Sequence, residues 1–285
     1  MGKERLEQLL AGNPEVVKGE LWVSPNVLEA LCLKKNQYSL IELALKLDAD
    51  CCFFSYSSPL AESDLTSEDM IRLLKEARLK NLGCGLVIDG PFERMIRDQG
   101  FATALPLFTP AGDGRAFDLL SEYAELADTE LESALRTDTD IILICDDIAY
   151  NHGLYMSPVQ FHRLLLPFYE RMARKTPNPT RLGFHSDGNI EKVLPSLIDL
   201  GFNFFSLEPE AMDLVRLKSS LLSKSVLMSG IKAEWLASGW DQSRKEEIQE
   251  YVKALQGETG LILSSTCGLF LPSAIERLEQ IYNLT

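Results

Sequence analysis

The sequence predicts a single-domain α/β fold, a (β/α)8 TIM barrel, and three observations carry that prediction. Eight short apolar runs alternate with helical patterns along nearly the whole chain of 285 residues. Their mean spacing of roughly 35 residues per unit suits a barrel. An open nucleotide-binding sheet would advertise a glycine-rich phosphate turn, and the sequence contains neither GxGxxG nor GxxxxGK[ST]. Residues 1–285 are read as one domain, with 1–18 as an N-terminal helical extension.

The strands are expected at 20–24 (ELWVS), 50–56 (DCCFFSY), 84–89 (CGLVID), 140–147 (DIILICDD), 181–186 (RLGFHS), 202–207 (FNFFSL), 225–230 (SVLMSG) and 260–266 (GLILSST). Their length, β-branched and aromatic content and polar flanks favour strands over buried helix pieces. Helical periodicity falls at 67–81, 116–136, 157–175, 189–201 and 243–256. Ser67-Glu68-Asp69 supplies a cap and an acidic first turn, and Ser157-Pro158 places proline at a first helical position. Pro167 and Pro195 lie inside helical patterns and are expected to kink or end them.

Composition excludes several classes of function. With 42 acidic against 28 basic side chains the net charge is −14, which disfavours nucleic acid and anionic membrane surfaces. No apolar run reaches the roughly 18 residues of a membrane span. The charged start, MGKERLEQLL, carries no apolar signal core, so a cytoplasmic location is expected. Six cysteines without CxxC spacing suit reduced thiols. Cys51, Cys52, Cys84 and Cys145 read as small buried hydrophobes, whereas Cys267 follows the last strand.

Barrel catalysts draw their side chains from the C-terminal ends of strands and the loops beyond. Here those positions hold Asp146 and Asp147, followed by Tyr150 and Asn151; then His185 and Asp187; then Glu208; and finally Cys267. Imidazole, carboxylate and thiolate are the normal donors to zinc. On an extended segment residues i and i+2 face the same way, so His185 and Asp187 can converge on one ion. Gly188 lets the chain turn away at once. The same residues equally suit a hydrogen-bonded histidine, an aspartate capping a helix that begins near Asn189, and a buried thiol. Asp146, Asp147, Tyr150, Asn151 and Glu208 are the candidates to protonate a leaving group or hold a ligand. His152 and His162 read as surface residues, and Phe53, Phe54, Phe204 and Phe205 as packing.

The string FHSDGNIEKVLPSLIDLGFNFFSLEPEAMDL resembles the uroporphyrinogen decarboxylase superfamily, in particular its cobalamin-dependent methyltransferase branch. DDIAYNHGLYMSPVQFHRLLLPFYERM is similar to that family's aspartate-ended strand and following helix. VIDGPFERMI resembles its GPF loop, and SSTCGLFLPSAIERL its final Cys-Gly strand end. The likeness runs over about residues 84–285. It implies a (β/α)8 barrel and, in the methyltransferase branch, zinc held at the positions of His185, Asp187 and Cys267. Asp187 stands where the pattern often has cysteine, which leaves a harder donor set with more Lewis acidity.

The resemblance thus implies a zinc-dependent methyltransferase that moves a methyl group between a small methylated substrate and a corrinoid (cobalamin) protein. The harder site favours O-demethylation of a methoxylated compound. Transfer from a methylcorrinoid to a thiol or folate is the alternative, as is a decarboxylase-like activity. The decarboxylase grips its substrate's carboxylates with an arginine-rich N-terminal segment, but residues 19–43 here contain no arginine. A corrinoid domain of its own would need ~100 further residues, so the corrinoid is expected on a partner protein.

Overall fold

The computed structural model describes residues 2–57, 60, 65–109, 111–177, 182–237, 239–265 and 268–285. Eight parallel strands close into a barrel: β1 (Val16–Glu20), β2 (Cys51–Ser55), β3 (Gly83–Asp89), β4 (Ile141–Cys145), β7 (Leu182–Ser186), β8 (Phe204–Leu207), β9 (Val226–Gly230) and β10 (Leu261–Ser264). Each pairs with its neighbour in chain order, and β10 closes onto β1 through Val16 opposite Leu261. A short antiparallel hairpin, β5 (Ala149–Tyr150) and β6 (Gly153–Leu154), stands on the loop after β4.

Helices form the outer ring. They are α1 (Gly2–Leu10), α2 (Pro25–Ala30), α3 (Tyr38–Lys46), α4 (Ser67–Leu79), α5 (Pro91–Gln99), α6 (Phe101–Ala104) and α7 (Asp113–Ala134). After these come α8 (Pro158–Leu164), α9 (Leu166–Lys175), α10 (Leu194–Asp199), α11 (Leu214–Lys218), α12 (Ala233–Ala237), α13 (Gln242–Gln256) and α14 (Ala274–Leu284). Among the described residues no helix is long and apolar enough to cross a membrane.

Two-residue alternation divides each strand between two cores. Val17, Cys51, Phe53, Ile141, Leu143, Phe204, Met228 and Ile262 fill the barrel interior. Phe54, Ile142, Ile144, Phe184, Phe205 and Leu227 face the helices. Glycines on adjacent strands make room for the interior aromatics. Gly85 is paired with Phe53 and Gly183 with Phe204, and a Cβ on either would fall 2.3 Å from the facing ring. Burying each of these phenylalanines contributes about 2–3 kcal/mol.

The N-terminal face is stoppered by α1. Leu6 and Leu9 are fully buried in the interior cluster, and a Cβ on Gly260 would lie 2.2 Å from Leu9. Arg5 ties the helix to the barrel through Asp50, at 3.0 and 3.1 Å, and Asp50 also accepts from the Lys18 amide at 2.9 Å.

Three expectations need correction. The first strand lies four residues before 20–24, because Lys18, polar in the sequence, turns outward with its Nζ 5.8 Å over the Tyr282 ring. Residues 16–18, assigned to the extension, therefore belong to β1, while Leu21 and Trp22 are released to the loop above it. The α4 cap is Thr66 in a reciprocal box with Asp69, one residue earlier than expected. Pro195 opens α10 instead of kinking or ending it, since a first-turn proline lacks only an amide that would have no helical partner. Ser157 caps α8 as expected, and the long pattern at 157–175 breaks at Leu165, just before Pro167.

Candidate functional site

Above the packed interior layers the C-terminal ends of the strands open into a cavity of about 310 Å³. Leu21, Trp22, Val87 and Phe270 form its apolar wall. Asp89, Glu93, Arg97, Cys145, Asp147, His185 and Asp187 supply most of the polar one. Strand parity decides this membership. Ile141 and Leu143 point into the barrel, so Cys145 and Asp147 do as well, and Cys145 sits in register with His185 on β7.

Asp147, His185 and Asp187 come together. One ligand atom from each lies within 4.8 Å of the others. His185 Nε2 is 3.7 Å from an oxygen of Asp147 and 3.7 Å from one of Asp187. Those gaps exceed a hydrogen bond, whereas donors each about 2.0–2.1 Å from one tetrahedral zinc lie about 3.4 Å apart. The expected pairing of His185 with Asp187 by i/i+2 spacing is what the strand end produces, and Asp147 is the third member that spacing alone did not single out as a ligand.

The surrounding hydrogen bonds orient the cluster. His185 Nδ1 and Ser206 Oγ, neighbours in the β7–β8 register, share a bond of 2.9 Å. With the proton on Nδ1, the Nε2 lone pair faces the cluster. The Asp187 amide donates to Asp147 at 2.8 Å and the Gly188 amide to Glu208 at 2.9 Å. Gly188 has φ +77°, and a Cβ there would lie 2.6 Å from the Ala149 carbonyl carbon. Only glycine lets this chain turn so close to the β5 hairpin.

Burial raises the Asp187 pKa to about 6, with Asp147, Glu208 and Glu210 adding to the rise and His185 opposing it. Asp187 Oδ1 is buried and has no hydrogen-bond partner among the described residues. A buried carboxylate oxygen without a donor is costly unless a cation or ligand completes it. The three residues thus fit a divalent metal ion in donor type, spacing and unsatisfied valence.

Other expected residues fall elsewhere. Asp146 points out of the barrel, fully buried, and does not line the cavity. Its carboxylate accepts from the Phe92 and Glu93 amides at 3.3 and 2.5 Å and from the Tyr169 hydroxyl at 2.6 Å. It therefore caps α5, whose own cap residue Gly90 offers no side chain. Tyr150 and Asn151 form the end and turn of the rim hairpin, both exposed, and neither lines the cavity. Glu208 is half-buried beside the cluster. Cys267, expected as a ligand, lies outside the described residues. His152 and His162 are exposed, as expected, while Cys145 is only half-buried and reaches the cavity.

Sequence reasoning missed Glu93. It sits in the first turn of α5, three residues after Gly90, and its side chain reaches the cavity. Burial, then Asp147 and Asp89, push its pKa up to about 7 against a lowering by Arg97. The GPF string marked the loop, but only the Asp146 cap explains why that first turn faces inward.

A closed parallel barrel with its polar cluster at the carboxyl ends of the strands is the architecture of barrel proteins that bind ligands at that rim. Within that class, the family model described as uroporphyrinogen decarboxylase (URO-D) matches residues 69–285. The chain belongs to the uroporphyrinogen decarboxylase family.

Among solved structures, a methyltransferase from Methanosarcina mazei superposes with a TM-score of 0.73 at 15% identity, covering 99% of this chain and 98% of that one. A sugar phosphate isomerase/epimerase from Parabacteroides distasonis follows, with a TM-score of 0.52 at 10% identity over 94% and 96% of the two chains. A β-mannanase from the blue mussel Mytilus edulis reaches 0.51 at 8% identity over 94% and 92%. At these identities the likeness is one of fold. No curated protein matches the sequence.

Proposed function

We propose that the chain is a metal-dependent methyltransferase, moving a methyl group from a small methoxylated donor to a corrinoid carried by a partner protein. The observation that carries this reading is the convergence of Asp147, His185 and Asp187 around an unsatisfied buried oxygen at the floor of the cavity. Family membership supports it, as does the likeness of fold to the Methanosarcina mazei methyltransferase. The charge of the cavity argues against the decarboxylase alternative. Among the described lining residues Asp89, Glu93, Asp147 and Asp187 face a single arginine, Arg97, which is already paired with Asp89. A substrate bearing several carboxylates would meet repulsion there.

Asp147, His185 and Asp187 would hold zinc, with Cys267 assigned to the same ion from the sequence resemblance. Bound there, zinc supplies a Lewis acid that draws electron density from the donor's ether oxygen. Ser206 holds His185 Nδ1, so that Nε2 alone would be left to hold the ion. Asp147 binds the Asp187 amide and so keeps the two carboxylates in step. Glu208, anchored on the Gly188 amide, is assigned to hold or deliver a proton at the departing oxygen. Leu21, Trp22, Val87 and Phe270 keep water away from the donor.

The test incubates zinc-loaded protein with a cob(I)alamin source and a panel of methoxylated aromatics, methylamines and methanol, with free thiols as acceptors in the reverse assay. Methyl transfer from a methoxylated aromatic is expected. No transfer with any donor, despite bound zinc, contradicts the proposal.

A further inference from the structure

Among the described lining residues the charges do not balance, and the imbalance rests on one of them. Asp89 is neutralised by Arg97, with which it forms an ion pair. A divalent cation at the cluster would neutralise Asp147 and Asp187 together. Glu93 is then the remaining carboxyl group among the described lining residues, with no hydrogen bond or ion pair of its own there.

Its position is built, not incidental. Asp146 grips the first turn of α5 by the Phe92 and Glu93 amides. The next residue, Arg94, is buried, donates to the Asp89 carbonyl at 2.9 Å and pairs with Glu130. The backbone of Glu93 is thus held from both sides while its side chain lines the cavity. Trp22 and Phe270 line the same cavity with their rings tilted against each other, centroids 4.8 Å apart, and present an apolar face.

We infer that Glu93 is a specificity residue that receives a positively charged group of the substrate, an ammonium, while Trp22 and Phe270 cover its flat apolar part. An ammonium beside Glu93 gains a charge-assisted hydrogen bond and meets aromatic faces that attract cations. An uncharged analogue forgoes the first, and an anionic one is repelled. Burial first, and then the neighbouring Asp147 and Asp89, raise the Glu93 pKa against the opposing charge of Arg97. The inference takes from the proposed function only that this cavity is the substrate site.

Calorimetry on the zinc-loaded full chain, at mildly alkaline pH where ammonium and carboxylate are both charged, separates the two ideas. The probes are 3-methoxybenzylamine and its near-isostere 3-methoxybenzyl alcohol, so neither turnover nor a corrinoid is required. The amine is expected to bind the wild type about tenfold or more tightly than the alcohol. Glu93→Gln, which keeps the side-chain shape and leaves the Asp146 cap intact, is expected to erase that preference without weakening the alcohol. Equal or tighter binding of the alcohol overturns the inference, as does a preference that survives in Glu93→Gln, or failure of both probes to bind. A confirmed preference without methyl transfer would leave the cation site standing and remove the methyl-transfer reading instead.

Discussion

The two ends of the barrel treat polar groups in opposite ways. At the N-terminal end two buried charged groups each have several partners. Asp50 meets Arg5 and the Lys18 amide. Lys218, almost fully buried, donates to the carbonyls of Ser225 and Gly260 at 2.8 and 3.1 Å and to Thr259 at 2.6 Å. At the C-terminal end Asp187 Oδ1 has no donor, and the Glu93 carboxyl group has neither hydrogen bond nor ion pair among the described residues. The difference separates residues that hold the fold from residues whose polar atoms are left open to the cavity. Satisfied polar groups contribute stability, whereas unsatisfied ones cost it until something binds.

That contrast can be broken at either end. The largest effect is expected at the stopper. Leu9→Ala removes a fully buried side chain from the interior cluster and should cost about 2–5 kcal/mol in chemical denaturation, with zinc affinity unchanged. At the rim, Asp187→Asn should behave the other way round. It should weaken zinc binding by about a hundredfold or more in competition with a chelator, and leave the metal-free protein as stable as wild type or more so. Gly188→Ala forces a Cβ into the β5 hairpin at positive φ. It should cost about 1–3 kcal/mol and displace Asp187, so stability and metal affinity fall together.

Smaller effects sharpen the same comparison. Ser206→Ala removes the partner of His185 Nδ1 and should lower zinc affinity about tenfold with little change in melting temperature. The pH dependence of the metal-free protein should follow its raised carboxyls. Burial lifts Glu20 and Glu93 each to about 7, against 4.5 for an ordinary glutamate. A folded-state pKa above the unfolded one means that the folded state holds more protons between those values. The associated stability is complete below pH 4.5 and is lost as pH rises through 7. Melting temperature should therefore fall between mildly acidic and neutral pH, and Glu20→Gln, which keeps an uncharged partner for Ser265 and Tyr282, should flatten part of that slope.

Much of the barrel was legible because its strands are buried on both faces and so read as continuous apolar runs. The same property hid the third member of the cluster. In Ile141–Cys145 both faces are apolar, so no alternation in the sequence tells that Asp147 turns inward while Asp146 turns out. His185 and Asp187 were legible because two-residue spacing suffices to place them together. Lys18 misled the reading of β1, since a lysine that lays its stem along Tyr282 can sit in a barrel strand. Glu93 left no local signal, because its direction depends on a cap supplied by Asp146 from a strand some fifty residues later.

The central claim is that Asp147, His185 and Asp187 bind one metal ion, and X-ray absorption at the zinc edge on protein loaded and then dialysed tests it most directly. About one zinc per chain is predicted, in a shell dominated by nitrogen and oxygen at about 2.0–2.1 Å, with the signal abolished in His185→Ala. Wild-type protein that dialyses free of zinc, or a His185→Ala variant that retains the same shell, would contradict it.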